Sequence, residues 1–498
     1  MIEENKNFNL LEYSSNRTDI LVGNRNECVG WNIKKDHLSG LQLLVGEGGL
    51  EPPNGFPDRF TVCCNCHYAT PPRMKELLSL FDPAKVHLFS LYTAKTAKFF
   101  ATLRHQTYTT MKYDFDKIIN RANTNCVKYD LRQQVFGNSN VLPMWVADMD
   151  FETPDFVRKA VIERAEHPVY GYHFKDEAYF EAIRKWILRH HHWNVHKDWM
   201  SFVPGVVCGF NMAVLAFTQP GDEIIIQPPV YPPFHHAVSS HGRKLVYNTL
   251  IDRGDGYEFN YDQLVEQTKT AKMLILCNPH NPVGRCWTRN ELLLLGEICM
   301  KNNVLVISDE IHCDLVLPSY RHHPFASLDK EFAQNSITFH AASKTFNLAG
   351  LATSTAIIPN EELRKTYVDY VEALEAHLGN IFGKVATQTA MTQGDEWLEQ
   401  LLDYVQGNID YVSDFLTTNL PKVKFHKPQA TYMMWLDFNG YGLSEKDLWQ
   451  KMTQEAQLGL NRGKDFGEEA GSGFFRINLA CPRATVEEAM KRLKVVFG

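Results

Sequence analysis

The chain has 498 residues, enough for two or three domains, and its 44% apolar and 22% charged residues are ordinary for a globular protein. A net charge of -7 provides no overall attraction to nucleic acid or anionic membranes, so neither is an expected partner. No apolar run approaches the roughly 20 residues of a membrane-spanning helix. The eleven cysteines are mostly scattered, which favours reduced thiols in a cytoplasm.

Residues 1–110 show clustered Gly, Pro and Cys without helical or strand periodicity, and the acidic start lacks the pattern of a signal peptide. Within this part, Cys63, Cys66 and His67 match the C-x-x-C-H pattern of haem attachment. Covalent haem attachment generally accompanies export, so chance spacing is the favoured interpretation. We expect domain patterning to begin at Met111 and residues 1–110 to be an extension without chemistry.

From Met111 onward, short apolar runs alternate with longer segments of helical spacing, such as residues 288–302. Four runs end at polar or Pro-rich turns and predict buried strands: DEIIIQPP (222–229), KMLILCNP (272–279), NVLVISDE (303–310) and NSITFHAASK (335–344). This alternation predicts an α/β fold with a mainly parallel sheet covered by helices on both faces. Residues 430–438 and 473–483 predict a separate, smaller α+β unit.

The ends of these strands carry polar side chains, which are Tyr231, Asn281, Asp309 and Lys344 in chain order. Ligands of such sheets bind at the carboxyl ends of the strands. The turn at residues 205–207 opens an apolar helix whose unpaired N–H groups predict an anion site. A lysine, a buried-looking aspartate, an aromatic face and a phosphate seat together suit pyridoxal phosphate.

The chemistry of this cofactor explains each residue type. Lys344 is the candidate for a Schiff base with the aldehyde, and Asp309 for the partner of the pyridine nitrogen. Tyr231 is expected to stack on the ring, and Asn281 to hydrogen-bond the ring oxygen. Taken singly, each residue is more often a solvated strand end, a helix cap or a loop residue. Their order and shared position at strand ends favour the cofactor site.

Seven motifs in family order resemble the class I/II aminotransferase-like fold and, within it, cystathionine β-lyases of the MalY/PatB type. The motifs are ADMDF (147–151), YGY (170–172), PPVYPPF (228–234), NPHNPVGR (278–285), SDEIHCDL (308–315), SKTFNLAG (343–350) and FRINLACPR (475–483). The resemblance runs from Met111 to the last residues and implies pyridoxal phosphate fold type I, with a seven-stranded sheet. It implies a small-domain segment at 111–160, a large cofactor-binding domain at 161–395 and a C-terminal small domain at 396–498.

The resemblance also implies roles at matching positions. Tyr172 matches a tyrosine that reaches the cofactor phosphate of the neighbouring subunit, which implies a catalytic and cofactor-binding role and a homodimer with active sites at its interface. Arg476 matches the arginine that clamps the substrate α-carboxylate, for which a bidentate guanidinium is suited. Ser343 with Val206 and Val207 is expected to hold the phosphate. Ala147, the first residue of ADMDF, is expected to contact substrate.

Two positions depart from the usual aminotransferase pattern and look like the β-lyase subgroup. Ala352 stands where many aminotransferases carry a phosphate-binding arginine, and His312 stands where they usually carry tyrosine. We assign His312 to the cofactor ring oxygen, with a structural histidine as the alternative. The run RHHHW (189–193) is interpreted as a solvated helix end rather than a metal site, and no metal is expected.

The implied activity is β-elimination from cystathionine, cystine or cysteine, with Lys344 as general base, giving a thiol, pyruvate and ammonia. An aminotransferase on the same fold is the first alternative, because fold does not fix the reaction. An additional regulatory role in binding another protein is the second.

Overall fold

The computed structural model describes residues 17–24, 27–34 and 113–498. The chain divides into two compact units, Met1–Thr110 and Met111–Gly498. In the first unit, Arg17–Asn24 and Glu27–Lys34 form an antiparallel pair of strands, which the sequence analysis did not anticipate. The C-x-x-C-H pattern of residues 63–67 lies outside the described residues.

The strands are short and are numbered in chain order. They are β1 (Arg17–Asn24), β2 (Glu27–Lys34), β3 (Leu142–Pro143), β4 (Met200–Val203), β5 (Glu223–Ile226), β6 (Lys244–Tyr247), β7 (Ile251–Asp252), β8 (Tyr257–Glu258), β9 (Met273–Cys277), β10 (Leu305–Asp309), β11 (Ser336–His340), β12 (Ser354–Ile357), β13 (Lys424–Phe425), β14 (Met433–Asp437), β15 (Leu458–Gly459), β16 (Asn461–Arg462) and β17 (Phe474–Asn478).

The α-helices are numbered in the same way. They are α1 (Val127–Asp130), α2 (Arg132–Phe136), α3 (Asp155–Glu166), α4 (Glu177–His191), α5 (Val206–Phe217), α6 (Pro232–Ser239), α7 (Tyr261–Gln267), α8 (Arg289–Lys301), α9 (Lys330–Gln334), α10 (Glu361–Ala373), α11 (Ile381–Gln393), α12 (Asp395–Asn419), α13 (Glu445–Gln450) and α14 (Arg483–Phe497). None of the helices in the described ranges is long and apolar enough to cross a membrane.

The large sheet has seven strands in the order β4-β12-β11-β10-β9-β5-β6. Strand β12 is antiparallel to both of its neighbours, whereas the pairs from β11 to β6 are parallel. Every residue of β9, β10 and β11 is buried, as expected for strands covered on both faces. The predicted mainly parallel sheet is therefore confirmed, and the four predicted runs contain β5, β9, β10 and β11.

A second sheet of four strands has the order β13-β14-β17-β16. Its two central strands are the apolar runs that predicted a smaller unit, and they pair antiparallel with Trp435 opposite Arg476. The short strand β3 pairs with β15, so the segment that precedes α3 joins elements near the end of the chain. Arg476 thereby projects from a different sheet than Asp309.

Local sequence explains where the helices around the large sheet begin. Helix α8 starts at a capping box, in which Thr288 accepts from the Glu291 N–H and the Glu291 carboxylate accepts from the Thr288 N–H. This confirms the helix predicted over residues 288–302. Helix α5 begins after Gly205, whose φ of 102° is open mainly to glycine. The resulting turn directs the start of α5 toward the carboxyl edge of the sheet.

Candidate active site

A cavity of about 350 Å³ lies at the carboxyl edge of the large sheet. Nine of the predicted site residues line it: Ala147, Val206, Val207, Tyr231, Asn281, Asp309, His312, Ser343 and Lys344. Parallel strands bring their carboxyl ends to the same edge, and the register places Asp309 opposite Cys277 and Phe339. The sheet therefore brings together residues that are more than 100 positions apart in the chain.

Lys344 follows β11 and extends its amine into this cavity. Its Nζ donates to the carbonyl of Ala147 at 2.8 Å, and the Tyr432 hydroxyl donates to the same oxygen at 2.9 Å. Burial, reinforced by the charge of Arg476, lowers the pKa of Lys344 to about 8. The amine is therefore much closer to neutrality at physiological pH than an exposed lysine.

The Ala147 carbonyl is held in place by the opposite wall. Asn478 Nδ2 donates to the carbonyls of Val146 and Asp148, at 2.7 and 2.6 Å. Arg121 also pairs with the Asp148 carboxylate at 2.6 Å. The segment around Ala147 is thus fixed by a buried strand of the smaller sheet, and it faces Lys344 with a backbone acceptor.

Asp309 is the last residue of β10 and is 4% exposed. Burial raises the pKa of its carboxyl to about 7, and this outweighs the lowering effects of the Ile311 N–H and of Lys344. The Ile311 N–H donates to Oδ1 at 3.1 Å. A buried carboxyl with so high a pKa is suited to a cationic partner, because a positive charge beside it would stabilise the ionised form.

The first turn of α5 forms the opposite end of the cavity. The first N–H groups of a helix, here including those of Val206 and Val207, have no intrahelical acceptors. In the described structure no side chain caps this helix, so these N–H groups have no side-chain acceptor from a cap either. Ser343 and Thr353 bring hydroxyl groups to the same cavity. These donors, with the positive end of the helix dipole, suit a phosphate group.

Arg476 reaches the site from β17 and is buried. Its guanidinium donates to Asn281 Oδ1 at 2.9 Å, to the Trp145 carbonyl at 2.8 Å and to Asn461 Oδ1 at 2.6 Å. Burial lowers its pKa to about 10, which still leaves it cationic at neutral pH. All three acceptors are neutral, so the charge remains available to a carboxylate.

His312 is 3% exposed and its Nδ1 has no hydrogen-bond partner among the described residues. Burial and the charges of Lys344 and Arg476 depress its pKa well below the usual value, so the ring is neutral. An unpaired buried ring nitrogen is costly. Its place in the cavity wall makes it a candidate contact for a ligand.

Four further residues of the site were missed by the sequence analysis. Cys208, Cys277 and Thr353 line the cavity, and Tyr432 shares an acceptor with Lys344. Cys277 ends a predicted strand, so the strand-end criterion could have identified it. The position of Tyr432, within the run at 430–438, carried no comparable signal.

One predicted residue stands apart from the cavity. Tyr172 is 98% exposed and does not line the cavity. It lies among other exposed apolar side chains, which are Val169, Tyr170 and Phe174.

The interpretation of the RHHHW run as a solvated helix end is wrong for two residues, His191 and Trp193, which are both buried. Arg189 and His192 are exposed, but His191 is 7% exposed and its Nε2 lies 2.7 Å from Asp314 Oδ1. The last turn of α4 packs inward because Trp193 and Trp186 on either side are also buried.

The side chains and cavity fit pyridoxal phosphate. The depressed pKa of Lys344 suits an amine that bonds an aldehyde, and the buried Asp309 suits a protonated ring nitrogen. The uncapped start of α5 offers donors to the phosphate. The unpaired His312 Nδ1 and the cationic Arg476 offer contacts for the remaining polar groups of a cofactor and an amino acid.

Comparison with known proteins agrees with this geometry. Residues 139–493 match the family model described as aminotransferase class I and II. Cystathionine beta-lyase PatB of Bacillus subtilis is 42% identical over 387 residues, covering 77% of this chain and all of the relative.

Solved structures agree as well. A PLP-bound putative aminotransferase from Clostridium difficile superposes with a TM-score of 0.76 at 40% identity, covering 78% of this chain and all of the neighbour. Cystalysin from Treponema denticola, which contains pyridoxal 5'-phosphate, has a TM-score of 0.75 at 34% identity, covering 78% and 99% of the two chains. The implied pyridoxal phosphate fold type I is confirmed.

Proposed function

Because the chain belongs to the aminotransferase class I and II family, we propose that it is a pyridoxal-phosphate-dependent carbon–sulfur β-lyase. Its substrates are cystathionine or related sulfur amino acids such as cystine and cysteine, and its products are a thiol, pyruvate and ammonia. The proposal is carried by one observation: Lys344 and Asp309 line the same cavity, in a chain similar to a cystathionine β-lyase along the whole length of that relative.

Each residue of the site has a separate role in β-elimination. When bound, pyridoxal phosphate supplies an aldehyde that bonds the substrate amino group and a ring that withdraws electrons from the α-carbon. Arg476 binds the substrate carboxylate through its guanidinium and so orients the α-carbon. Lys344 Nζ, with its lowered pKa, accepts the α-proton as general base. The Asp309 carboxylate would keep a proton on the ring nitrogen. The thiolate would then leave the β-carbon, and water would hydrolyse the released enamine to pyruvate and ammonia.

The remaining cavity residues position these groups. Tyr231 and His312 would contact the ring. Asn281, whose Oδ1 accepts from Arg476, would also donate to the ring oxygen. Ser343, Val206 and Val207, which line the cavity, would bind the phosphate. Ala147 contacts the substrate and supplies the carbonyl on which the Lys344 amine is held at 2.8 Å.

The protein acts as a homodimer in which Tyr172 reaches the cofactor phosphate of the other subunit. Tyr172 and the nearby Val169, Tyr170 and Phe174 are exposed apolar side chains, and such clusters commonly mark protein interfaces. A side chain that is 98% exposed in one subunit is free to complete the site of another.

The lyase is a cytoplasmic protein whose chemistry resides in residues 111–498. Within the described residues, the seven cysteines at positions 126, 208, 277, 286, 299, 313 and 481 are free thiols, as in a reducing compartment. The pairing of β3 with β15 supports a small domain formed by residues 111–160 and 396–498 around a large domain at 161–395.

Replacement of Lys344 tests the mechanism. The Lys344→Ala variant is expected to release pyruvate from cystathionine at least about 100-fold more slowly, because a positioned general base contributes about 10²- to 10⁴-fold. Its visible cofactor absorbance is also lost. Lys365→Ala, which removes an exposed lysine paired with Asp369, is the control and retains activity. Undiminished turnover by Lys344→Ala would contradict the role of the lysine.

The same assay separates the lyase from an aminotransferase. Pyruvate formation without any keto-acid acceptor supports β-elimination. Stoichiometric conversion of the cofactor to its aminated form, with turnover only after a keto acid is added, supports transamination instead.

A further inference from the structure

Four buried side chains outside the active-site cavity form a compact group, the His191 cluster, which consists of His191, Cys313, Asp314 and His340. They come from three parts of the fold. His191 ends α4, His340 ends β11, and the adjacent Cys313 and Asp314 follow β10. One side-chain atom from each, nitrogen, sulfur or oxygen, lies within 4.8 Å of the others.

The distances centre on one oxygen of Asp314. His191 Nε2 lies 2.7 Å from Asp314 Oδ1, Cys313 Sγ 3.7 Å and His340 Nε2 4.0 Å. Zinc bonds of 2.0–2.3 Å at tetrahedral angles separate the ligand atoms by about 3.3–3.8 Å. Displacements of about 1 Å in the ligand atoms are therefore enough to place all four around one ion.

Among the described residues, Asp314 accepts several hydrogen bonds, but one ring nitrogen of this group has no partner. Asp314 accepts from Trp186 Nε1 at 3.0 Å, from His191 and, through its other oxygen, from Thr345 Oγ1 at 2.8 Å. His340 is 3% exposed, and its Nε2 has no hydrogen-bond partner in the part of the chain that the structure describes. A lone pair or proton of this ring nitrogen thus faces a carboxylate and a thiol without a bond.

We propose that the His191 cluster is a binding site for a divalent transition-metal ion of the Zn²⁺ type, with His191, Cys313, Asp314 and His340 as its ligands. Two imidazoles, a thiolate and a carboxylate are ligand types that Zn²⁺ accepts, and four protein ligands make a closed, structural site rather than a catalytic one. The proposal does not depend on the lyase activity.

Binding changes the protons of the cluster in a defined way. The metal forms one bond to each ligand, the Cys313 thiol gives up its proton to solvent, and the proton of His191 moves from Nε2 to Nδ1. Because the Cys313 thiol must lose its proton to bind the ion, metal affinity is expected to rise with pH.

The metal would join α4 to the segment after β10 and to β11. Both of the latter carry active-site residues, since His312 precedes Cys313 and Lys344 lies four residues after His340. Thr345, which donates to Asp314, is the neighbour of Lys344. The ion therefore stabilises the packing of α4 against the segments that carry His312 and Lys344. We expect thermal stability to increase with added Zn²⁺.

Metal analysis of the holoenzyme tests the site. A full-length background with Cys63→Ser, Cys64→Ser and Cys66→Ser removes the thiols of the upstream C-x-x-C-H pattern. After incubation with ZnCl₂ and desalting, we expect one zinc ion per chain. His340→Phe and Cys313→Ser each lose that equivalent.

The matched controls His190→Ala and Cys299→Ser retain it, because His190 pairs with Asp395 at the surface and Cys299 lies in α8. Equal zinc content in cluster and control variants, or no retained zinc in the background protein, overturns the proposal.

Cobalt provides a second measurement that needs no substitution within the cluster. Co²⁺ in a tetrahedral site with a thiolate gives strong visible d–d bands at longer wavelength than the cofactor absorbs. Their appearance in the same background supports the four-ligand site. The absence of these bands from the Co²⁺-treated, desalted holoenzyme would contradict it, even if the cluster variants failed to fold.

Discussion

At the scale of single residues, burial sets the chemistry of this site. Lys344 and Asp309 are displaced toward their neutral forms by the same cause, loss of water, and their opposite charges only partly compensate. An aldehyde requires an amine near its neutral form, which Lys344 provides. A protonated ring nitrogen requires a carboxylate beside it, which Asp309 provides. Paired perturbations of this kind in one cavity are typical of functional sites.

The stability of the cofactor-free protein should report the state of Asp309. Its carboxyl has a folded pKa of about 7 against an ordinary value of 3.8. A raised pKa contributes stability that is fully present below the unfolded pKa and is lost as pH rises through the folded value. From pH 5 to pH 8, the free energy of unfolding should fall by about 2–3 kcal/mol relative to Asp309→Asn. Urea denaturation at both pH values measures the difference.

Saturation with cofactor serves as the control for this prediction. A cationic ring nitrogen stabilises the ionised carboxylate, so the loss toward pH 8 should shrink in the holoenzyme. Parallel pH profiles for the cofactor-free wild type and Asp309→Asn would show that the pKa of Asp309 is not raised.

Arg476 should govern substrate binding rather than cofactor binding. Arg476→Lys replaces a bidentate donor by a point charge and removes hydrogen bonds to a charged group, each worth about 1.5–3 kcal/mol. We expect KM for cystathionine to rise about 10- to 100-fold while the cofactor spectrum is unchanged. The control is Arg462→Lys. Arg462 lies on the neighbouring strand β16, is exposed and pairs with Asp465. An unaltered KM in Arg476→Lys would refute the carboxylate role.

At the scale of elements, α5 connects the phosphate seat to the sheet. Gly205 allows the turn before the helix, and Gly209 allows the helix to lie against β11. A Cβ on Gly209 would lie 2.5 Å from Phe339 Cε1, and the Gly209 carbonyl accepts from the Tyr367 hydroxyl at 3.0 Å. The position of the N–H groups at the cavity therefore depends on close packing one turn further along.

Gly209→Ala should lower the free energy of unfolding by about 1–3 kcal/mol, the usual cost of overpacking a core. Cofactor affinity should fall with it, because the start of α5 is displaced. Thermal denaturation and cofactor titration measure the two effects. Gly407→Ala in α12 is the matched control, since its Cβ would meet only the end of the Arg483 side chain, and it should be neutral or stabilising. Equal stability of the two variants would show that Phe339 can move away from an added Cβ at position 209 without a cost in stability.

At the scale of the whole molecule, the cavity of one chain lacks a contribution from Tyr172. A homodimer would resolve this, because isologous assembly gives each site one tyrosine from the other subunit. The exposed apolar side chains of residues 169–174 would then be covered by the same contact.

Hybrid dimers test this arrangement. Tyr172→Ala and Lys344→Ala are each expected to be nearly inactive as pure proteins. Co-refolding equal amounts should restore about a quarter of wild-type activity, because half of the randomly paired dimers contain one complete site of two. Mixing without refolding is the control and restores nothing. Absence of recovery in folded, dimeric hybrids would place Tyr172 in its own subunit's site or outside catalysis.

The sequence by itself determined the strands, their polar ends and hence the candidate cofactor. Apolar runs such as 303–310 are buried wherever they fold, and parallel strands must end at a common edge, so Asp309, Asn281 and Lys344 could be predicted to meet. Three of the motifs that indicated the family, NPHNPVGR, SDEIHCDL and SKTFNLAG, lie at the ends of β9, β10 and β11 and so belong to that edge.

Only the tertiary structure decided contacts made between distant segments. Nothing local in the sequence shows that Tyr432 and Lys344 share the Ala147 carbonyl, or that His191 turns inward to Asp314 and His340. The alternation of residues along a strand can be read from nearby positions in the sequence. The burial of a polar side chain, in contrast, depends on which distant segments pack over it. The shared Ala147 acceptor of Tyr432 and Lys344 and the composition of the His191 cluster were therefore fixed by packing, which local patterns do not encode.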